Sequence, residues 1–234
     1  MRTLPEKTAL RVSLAVIALV WIYTAARNIF FLDDILRTFE SMPRVVLQAA
    51  LSGLFVILAV TLLLALSGER YGDIGFKKQG LLRQLGTGGL FGLLIFILDT
   101  IVLSPVLDAI LPPAAGQQID MGKLFNSGLF PVFVLITLFK GGLCEELWRV
   151  FILTRFEKAM GGAGLVAALI LSSMVFGMGH RYQGPGGMIS IGLIGLLFAL
   201  VYLRKRRALE AVFAHAAFNL IQVVLGFIVY SGKS

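Results

Sequence analysis

Three short runs in this chain hold the residues whose types and spacing could do chemistry. The first is Gly142-Leu143-Cys144-Glu145-Glu146-Leu147-Trp148-Arg149, two adjacent carboxylates and a guanidinium inside an apolar stretch long enough to cross a bilayer. The second, Phe176-Gly177-Met178-Gly179-His180, and the third, His215-Ala216-Ala217-Phe218-Asn219, hold the only two histidines, each with a partner four residues away. On a helix that spacing puts both side chains on one face, so Phe176 with His180 and His215 with Asn219 can address a common cavity. Carboxylates beside imidazoles that titrate near neutrality are the equipment of a buried proton-transfer site or a metal site. A charged side chain at mid-bilayer costs roughly 2.5 to 3.5 kcal/mol on insertion scales, so Glu145 and Glu146 must face a protein interior or a watered cavity. The plainer reading is a structural knot in which Arg149, lying on the helical arc between the two acids, neutralises one of them; that leaves the second acid unexplained.

The elements that must position these residues follow from composition. The chain has 234 residues, 58% apolar and 15% charged, with mean hydropathy +0.89, which marks a polytopic membrane protein rather than a soluble domain. Its net charge of +8 does not indicate nucleic acid, because the basic residues gather between the apolar runs. Cys144 is the only cysteine, so no internal disulfide and no four-cysteine zinc site can form. The first apolar run, from Leu10, lacks a small-residue cleavage site before a polar region and is expected to be a retained helix.

Windows of about 20 apolar residues predict seven spans: Leu10 to Ala26, Val45 to Leu66, Thr87 to Val106, Gly128 to Leu153, Ala163 to Met178, Met188 to Leu203 and Ala211 to Tyr230. An eighth, short or re-entrant element would change the count. The expected fold class is therefore all-α, a transmembrane bundle of seven or eight spans. It forms one domain over residues 1–234, with the motifs in a core over 128–230. Asn28 to Arg44 looks like an amphipathic helix lying at the interface, and the linker Ser67 to Gly86 reads the same way. Arg2, Lys7, Arg11, Arg70, Lys77, Lys78, Arg83, Arg155, Lys158 and Arg204 to Arg207 fall on one side of this topology. They outnumber Arg27, Arg37, Arg44, Lys123, Arg181 and Lys233 on the other, so the amino terminus is expected inside and, with seven spans, the carboxyl terminus outside. Asp99 and Lys140 both come near the midplane and are expected to pair with each other. Counted from the inner ends of the spans, His215 lies much shallower than Glu145 or His180. A common site therefore needs either a protruding hairpin between spans four and five or an earlier start of span seven.

Other intramembrane hydrolase chemistries lack their residues here. There is no His-Glu-x-x-His run, no Gly-x-Gly-Asp aspartyl pair and no serine with a matching histidine in a rhomboid-like setting. Glu145-Glu146 with Arg149, Phe176-x-x-x-His180 and His215-x-x-x-Asn219, in that order, resemble the three-motif signature of the CAAX protease and bacteriocin-processing (CPBP) family of intramembrane endopeptidases, which includes CAAX prenyl protease 2-like enzymes. Tyr182-Gln183-Gly184 after His180 is similar to a run in bacterial members. The family pattern usually has three residues between the second Glu and the Arg, and here only Leu147 and Trp148 intervene. Either Arg149 is displaced by about 100° around the helix, which is preferred because two acids are present, or Cys144 stands where the first Glu belongs.

The resemblance implies a membrane enzyme cleaving peptide bonds within the bilayer, with a cavity opening toward the cytosol. By motif, Glu145 would activate water with help from His180, Glu146 and His215 would orient partners and polarise the carbonyl, and Asn219 would donate to the oxyanion. Glu145, Glu146, His180 and His215 could hold Zn2+ or another divalent metal with one open position, or could run a metal-independent hydrolysis. The partners are the lipid bilayer and a peptide or protein substrate, not nucleic acid. The expected setting is the cytoplasmic membrane of a prokaryote, since the compact chain looks like a bacterial or archaeal member, with the substrate's identity and its prenylation left open. Two rival readings use the same residues. One is a non-catalytic membrane scaffold or immunity factor that keeps the fold, and the other is a transporter with a Glu/His proton relay.

Overall fold

In hydrocarbon a backbone has only itself to bond with, so each apolar run must close its hydrogen bonds as a helix. The computed structural model describes residues 3–112, 122, 125 and 128–230, and the regular structure among these is helical throughout. In order come α1 (Glu6–Phe30), α2 (Leu32–Phe39), α3 (Met42–Leu66), α4 (Leu81–Leu98), α5 (Ser104–Ile110), α6 (Phe130–Thr137), α7 (Glu146–Met178), α8 (Gly184–Lys205) and α9 (Ala208–Tyr230). Wider π-helical turns join α4 to α5 over Asp99–Leu103 and α6 to α7 over Leu138–Glu145. Prolines near the first turns of α3, α5, α6 and α8 start those helices where an amide would have no intrahelical partner. Arg2, Lys123 and Lys233, which entered the orientation argument, lie outside the described residues.

Among the described residues six stretches are long and apolar enough to span a membrane, against seven expected. The difference lies in Phe130–Met178, whose helix is broken at Gly161 (φ 61°, ψ −144°). A Cβ on Gly164 would collide with the carbonyl of Phe156 and approach the Met160 Cβ to 2.8 Å, whereas in an unbroken helix residues 156 and 164 would stand about 12 Å apart. The chain therefore doubles back here, and this stretch supplies both of the expected spans four and five as the limbs of a hairpin.

The expected interfacial helices shrink to one. Asn28 belongs to α1 and Met42 to α3, leaving only α2 between them, with Ile35 buried and Asp33, Asp34 and Arg37 outward. The linker after α3 is not an amphipathic helix: Gly68, Gly75 and Gly80 take positive φ, and a 3-10 turn at Tyr71–Ile74 buries Ile74. The amide of Ala208 donates to the carbonyl of Gly75 (3.0 Å), which ties the linker to the turn between α8 and α9.

One end of the bundle gathers the basic residues into ion pairs. Arg155 and Lys158 meet Glu69, Arg206 holds Glu157 through two 2.6 Å bonds, and Arg204 holds Glu210 at 2.8 Å. Because Glu157 on the hairpin and Arg206 before α9 share this level, depths can be counted from them. Glu145 then lies about 18 Å in and His215 about 13 Å, a gap side chains bridge. The protruding hairpin and an α9 that starts three residues early together bring the motifs to one depth.

α9 and α4 touch through glycine. A Cβ on Gly88 would lie 2.6 Å from the carbonyl of Glu210, and one on Gly92 would strike the carbonyl of Ala214 and come 2.8 Å from the Ala217 Cβ. Gly92→Leu is expected to destabilise the protein by about 1–3 kcal/mol in detergent unfolding. Gly89→Leu, at a position with nothing within 4 Å, should stay within about 0.5 kcal/mol.

Glu69 gives a second test. Burial by itself raises its pKa, but the bonds and charges of Arg155 and Lys158 outweigh it and hold the carboxyl below the ordinary glutamate value of 4.5. The folded state thus binds fewer protons than the unfolded one, and this stabilisation is present above pH 4.5 and is lost as pH falls through the lower folded value. The unfolding midpoint should drop on acidification below about pH 4.5, and Glu69→Gln should remove part of that drop.

Candidate active site

Glu146 opens α7 with no exposed surface at all, and its side chain is satisfied from two helices. Arg149, one turn on and 3% exposed, donates its Nε to both carboxylate oxygens at 3.1 and 3.2 Å. From α9, His215 brings Nδ1 to within 2.9 Å of Oε1. A carboxylate only accepts, so His215 Nδ1 carries a proton, and in the neutral imidazole Nε2 then presents a lone pair. The shortened first motif thus makes an i, i+3 ion pair. Arg149 also lies over the Phe176 ring (4.4 Å to its centroid), and Gly195 of α8 makes room for both, since a Cβ there would be 3.0 Å from Arg149 Nη1 and 2.7 Å from Phe176. Cys144 faces away: its Sγ would be 3.2 Å from a Cβ on Gly53 in α3.

The neighbouring acid is set by the π-helical turn. Lys140 Nζ donates to Glu145 Oε1, while Glu145 Oε2 faces His215 Nε2 at 3.7 Å. These two facing atoms are both acceptors, and the gap exceeds a direct hydrogen bond. A donor between them, such as a water giving one proton to each, resolves the repulsion. Both partners of the ion pair keep some access, 21% for the Glu145 side chain and 26% for Lys140.

His180 stands beside this network rather than within it. Its Nδ1 bonds the carbonyl of Phe176 at 2.9 Å, and its ring meets the Phe176 ring edge-on at 5.0 Å. Phe176 lies 6.0 Å from the His215 ring, so the two imidazoles can be at most about 11 Å apart, with Phe176 between them. Asn219 presses its amide nitrogen against Gly141, whose missing side chain leaves the space, and His215 Nε2 approaches the same point at 3.8 Å. Two helical limbs, the first limb of the hairpin and α9, therefore bring Glu145, Glu146, Arg149 and His215 into one network with Asn219 adjacent, and His180 stands beside it at the end of the hairpin's second limb. Tyr182, from the run after His180, packs on both His180 (5.9 Å) and Phe39 of α2 (4.6 Å).

One expectation changes. Lys140 and Asp99 do not pair: Lys140 serves Glu145, and buried Asp99 accepts from Ser104 (3.0 Å) and Ser190 (2.5 Å). Glu146 has Arg149 and His215 Nδ1 on its oxygens, a cation adjoins Glu145, and no group of three or more His, Cys, Asp or Glu among the described residues is arranged to hold a metal. Phe198, which sequence reasoning passed over, stacks on His215 with ring centroids 4.4 Å apart and holds the imidazole plane. Nothing but its place in an apolar span marked it.

Glu146→Ala leaves Arg149 buried without its partner and is expected to cost about 3–5 kcal/mol of stability, read as denaturant unfolding in detergent.

Comparison with known families matches residues 127–221 to the family described as type II CAAX prenyl endopeptidase Rce1-like. No curated protein and no solved structure matches the chain. Residues 1–126 lie outside the matched segment, and all three motifs lie inside it. The motif order, the multi-pass helical fold and this match agree, and residues 127–221, which hold all three motifs, are similar to the Rce1-like type II CAAX prenyl endopeptidase family.

Proposed function

We propose that the protein hydrolyses peptide bonds of membrane-associated substrates with a water held between Glu145 and His215. The observation that carries this reading is the pair of facing acceptors, Glu145 Oε2 and His215 Nε2, 3.7 Å apart. A water donating to both turns its lone pairs outward, toward whatever carbonyl enters. As the water oxygen bonds the carbonyl carbon, one of its protons passes to Glu145 and the carbonyl π electrons move onto oxygen. The amide of Asn219, on the same side as His215, donates to that oxyanion. Collapse re-forms the C=O, breaks the C–N bond and returns the Glu145 proton to the departing nitrogen. Glu146 keeps the His215 imidazole in one tautomer, as a buried carboxylate does for a catalytic histidine generally. His180, with Nδ1 engaged by backbone, offers Nε2 toward the substrate.

The basic end of the bundle would face the cytoplasm, with the amino terminus inside. The substrate would be a membrane peptide or protein.

Glu145→Gln keeps the shape and removes the base, and should lower turnover by about 100-fold or more. The measurement is a comparison of carboxyl-terminal peptides in membranes from cells with wild-type protein and with Glu145→Gln. Peptides should differ between the two; identical peptide sets, or full biological activity in the variant, would point to a scaffold that kept the fold.

A further inference from the structure

We infer that Lys140 is a positioning residue for the reaction: it fixes one oxygen of Glu145 so that the other is aimed at His215 and the water between them. This rests on the hydrolytic reading above and adds to it a residue outside the three motifs. In an α-helix, residues five apart point about 140° away from each other, so Lys140 and Glu145 would not meet. They meet because Leu138–Glu145 is wound as a π-helix, a form that is rare in proteins and concentrated at functional sites.

The winding is held from outside. Gly141 and Gly142 follow Lys140 directly and are both buried against α9, Gly141 under the Asn219 amide and Gly142 with its Cβ position 2.9 Å from the Ala216 Cβ. The helix that supplies His215 and Asn219 thus also sets the turn that swings Lys140 onto Glu145. Among the described residues Lys140 pairs with Glu145 alone: Glu146 is engaged by Arg149 and His215, and Asp99 by Ser104 and Ser190. Lys140 takes Oε1 of Glu145 and leaves Oε2 facing His215 Nε2. Without that clamp the carboxylate can rotate, and both oxygens leave the line on which a water would bridge to the imidazole.

A lysine that merely neutralised Glu145 would be as well replaced by arginine, whereas a point charge that sets an angle would not be, because a planar fork sits differently on a carboxylate. The test uses the full chain in detergent micelles and a synthetic peptide spanning a cleavage site that depends on Glu145. Lys140→Met should lower kcat by about 100-fold with KM within about threefold, the scale of a misplaced catalytic group. Lys140→Arg, which keeps the charge and the fold, should still lose about tenfold in kcat. Combined with Glu145→Gln, Lys140→Met should cause no further loss, since the two act as one unit. Wild-type kcat in Lys140→Arg, whether or not Lys140→Met folds, would overturn the inference, as would a raised KM at unchanged kcat. Absence of any Glu145-dependent cleavage by the wild type would instead bring down the hydrolytic reading itself, and this inference with it.

Discussion

A carboxylate with no exposed surface in the middle of an apolar bundle must find its counter-charge and its donors inside the protein, and much of the structure around Glu146 follows from that requirement. Breaking such a buried pair costs several kcal/mol, a large share of the net stability of a typical domain. Arg149 supplies the charge from the next turn of the same helix and covers its own exposed face with the Phe176 ring. His215 supplies the second donor from α9 and is held flat by Phe198. For both to reach, the backbones must approach closely, and that explains Gly195 beneath Arg149 and Phe176, Gly141 and Gly142 beneath α9, and Gly88 and Gly92 where α4 meets α9. Small residues at helix contacts are the usual means of packing in membranes, where hydrocarbon gives apolar side chains no reason to prefer one another.

The two adjacent acids differ in their surroundings. Glu146 has no free lone-pair direction toward a substrate, while Glu145 retains access and one oxygen turned to an imidazole. Adjacent residues on one chain thus stand in opposite environments, one enclosed by Arg149 and His215 and the other partly accessible.

Much of this was legible beforehand because ionisable residues in apolar runs are conspicuous and have few places to go. The three motifs, the shared faces of Phe176 with His180 and of His215 with Asn219, and the hairpin interrupted by Arg155, Lys158 and Gly161 could all be read from residue type and a 100° step. The error over Lys140 has the same origin. Counting residues puts Lys140 and Asp99 at the same depth near the midplane, and depth alone made Asp99 look like its partner. A π-turn alters the angle without altering the residues, so periodicity cannot reveal it; the adjacent Gly141-Gly142 was the only hint. Asp99 finds its donors on Ser104, across its own π-turn, and on Ser190, 91 residues away in sequence, and neither relation is written in an α-helical pattern. In the Ser67 to Gly86 linker the charge pattern suggested a helix, but the glycines with positive φ settle the backbone first.

The pairing within Phe130–Met178 also bears on how the protein reaches its membrane. Lys140 with Glu145 and Arg149 with Glu146 are contacts inside one continuous stretch of chain, two positive and two negative, so its deepest part carries no net charge before any other helix is present. The Arg149–Glu146 pair, one turn apart on α7, can form while the ribosome is still making α8 and α9, whereas Lys140 settles on Glu145 once α9 has set the π-turn. A newly made segment of this kind meets the translocon as a neutral helix rather than as one bearing two naked acids, and it can wait in the bilayer for His215 to arrive. The local ion pairs that shape the site thus also solve a problem of biogenesis, and His215, synthesised after the acids and their cations, completes a network whose charges are already balanced.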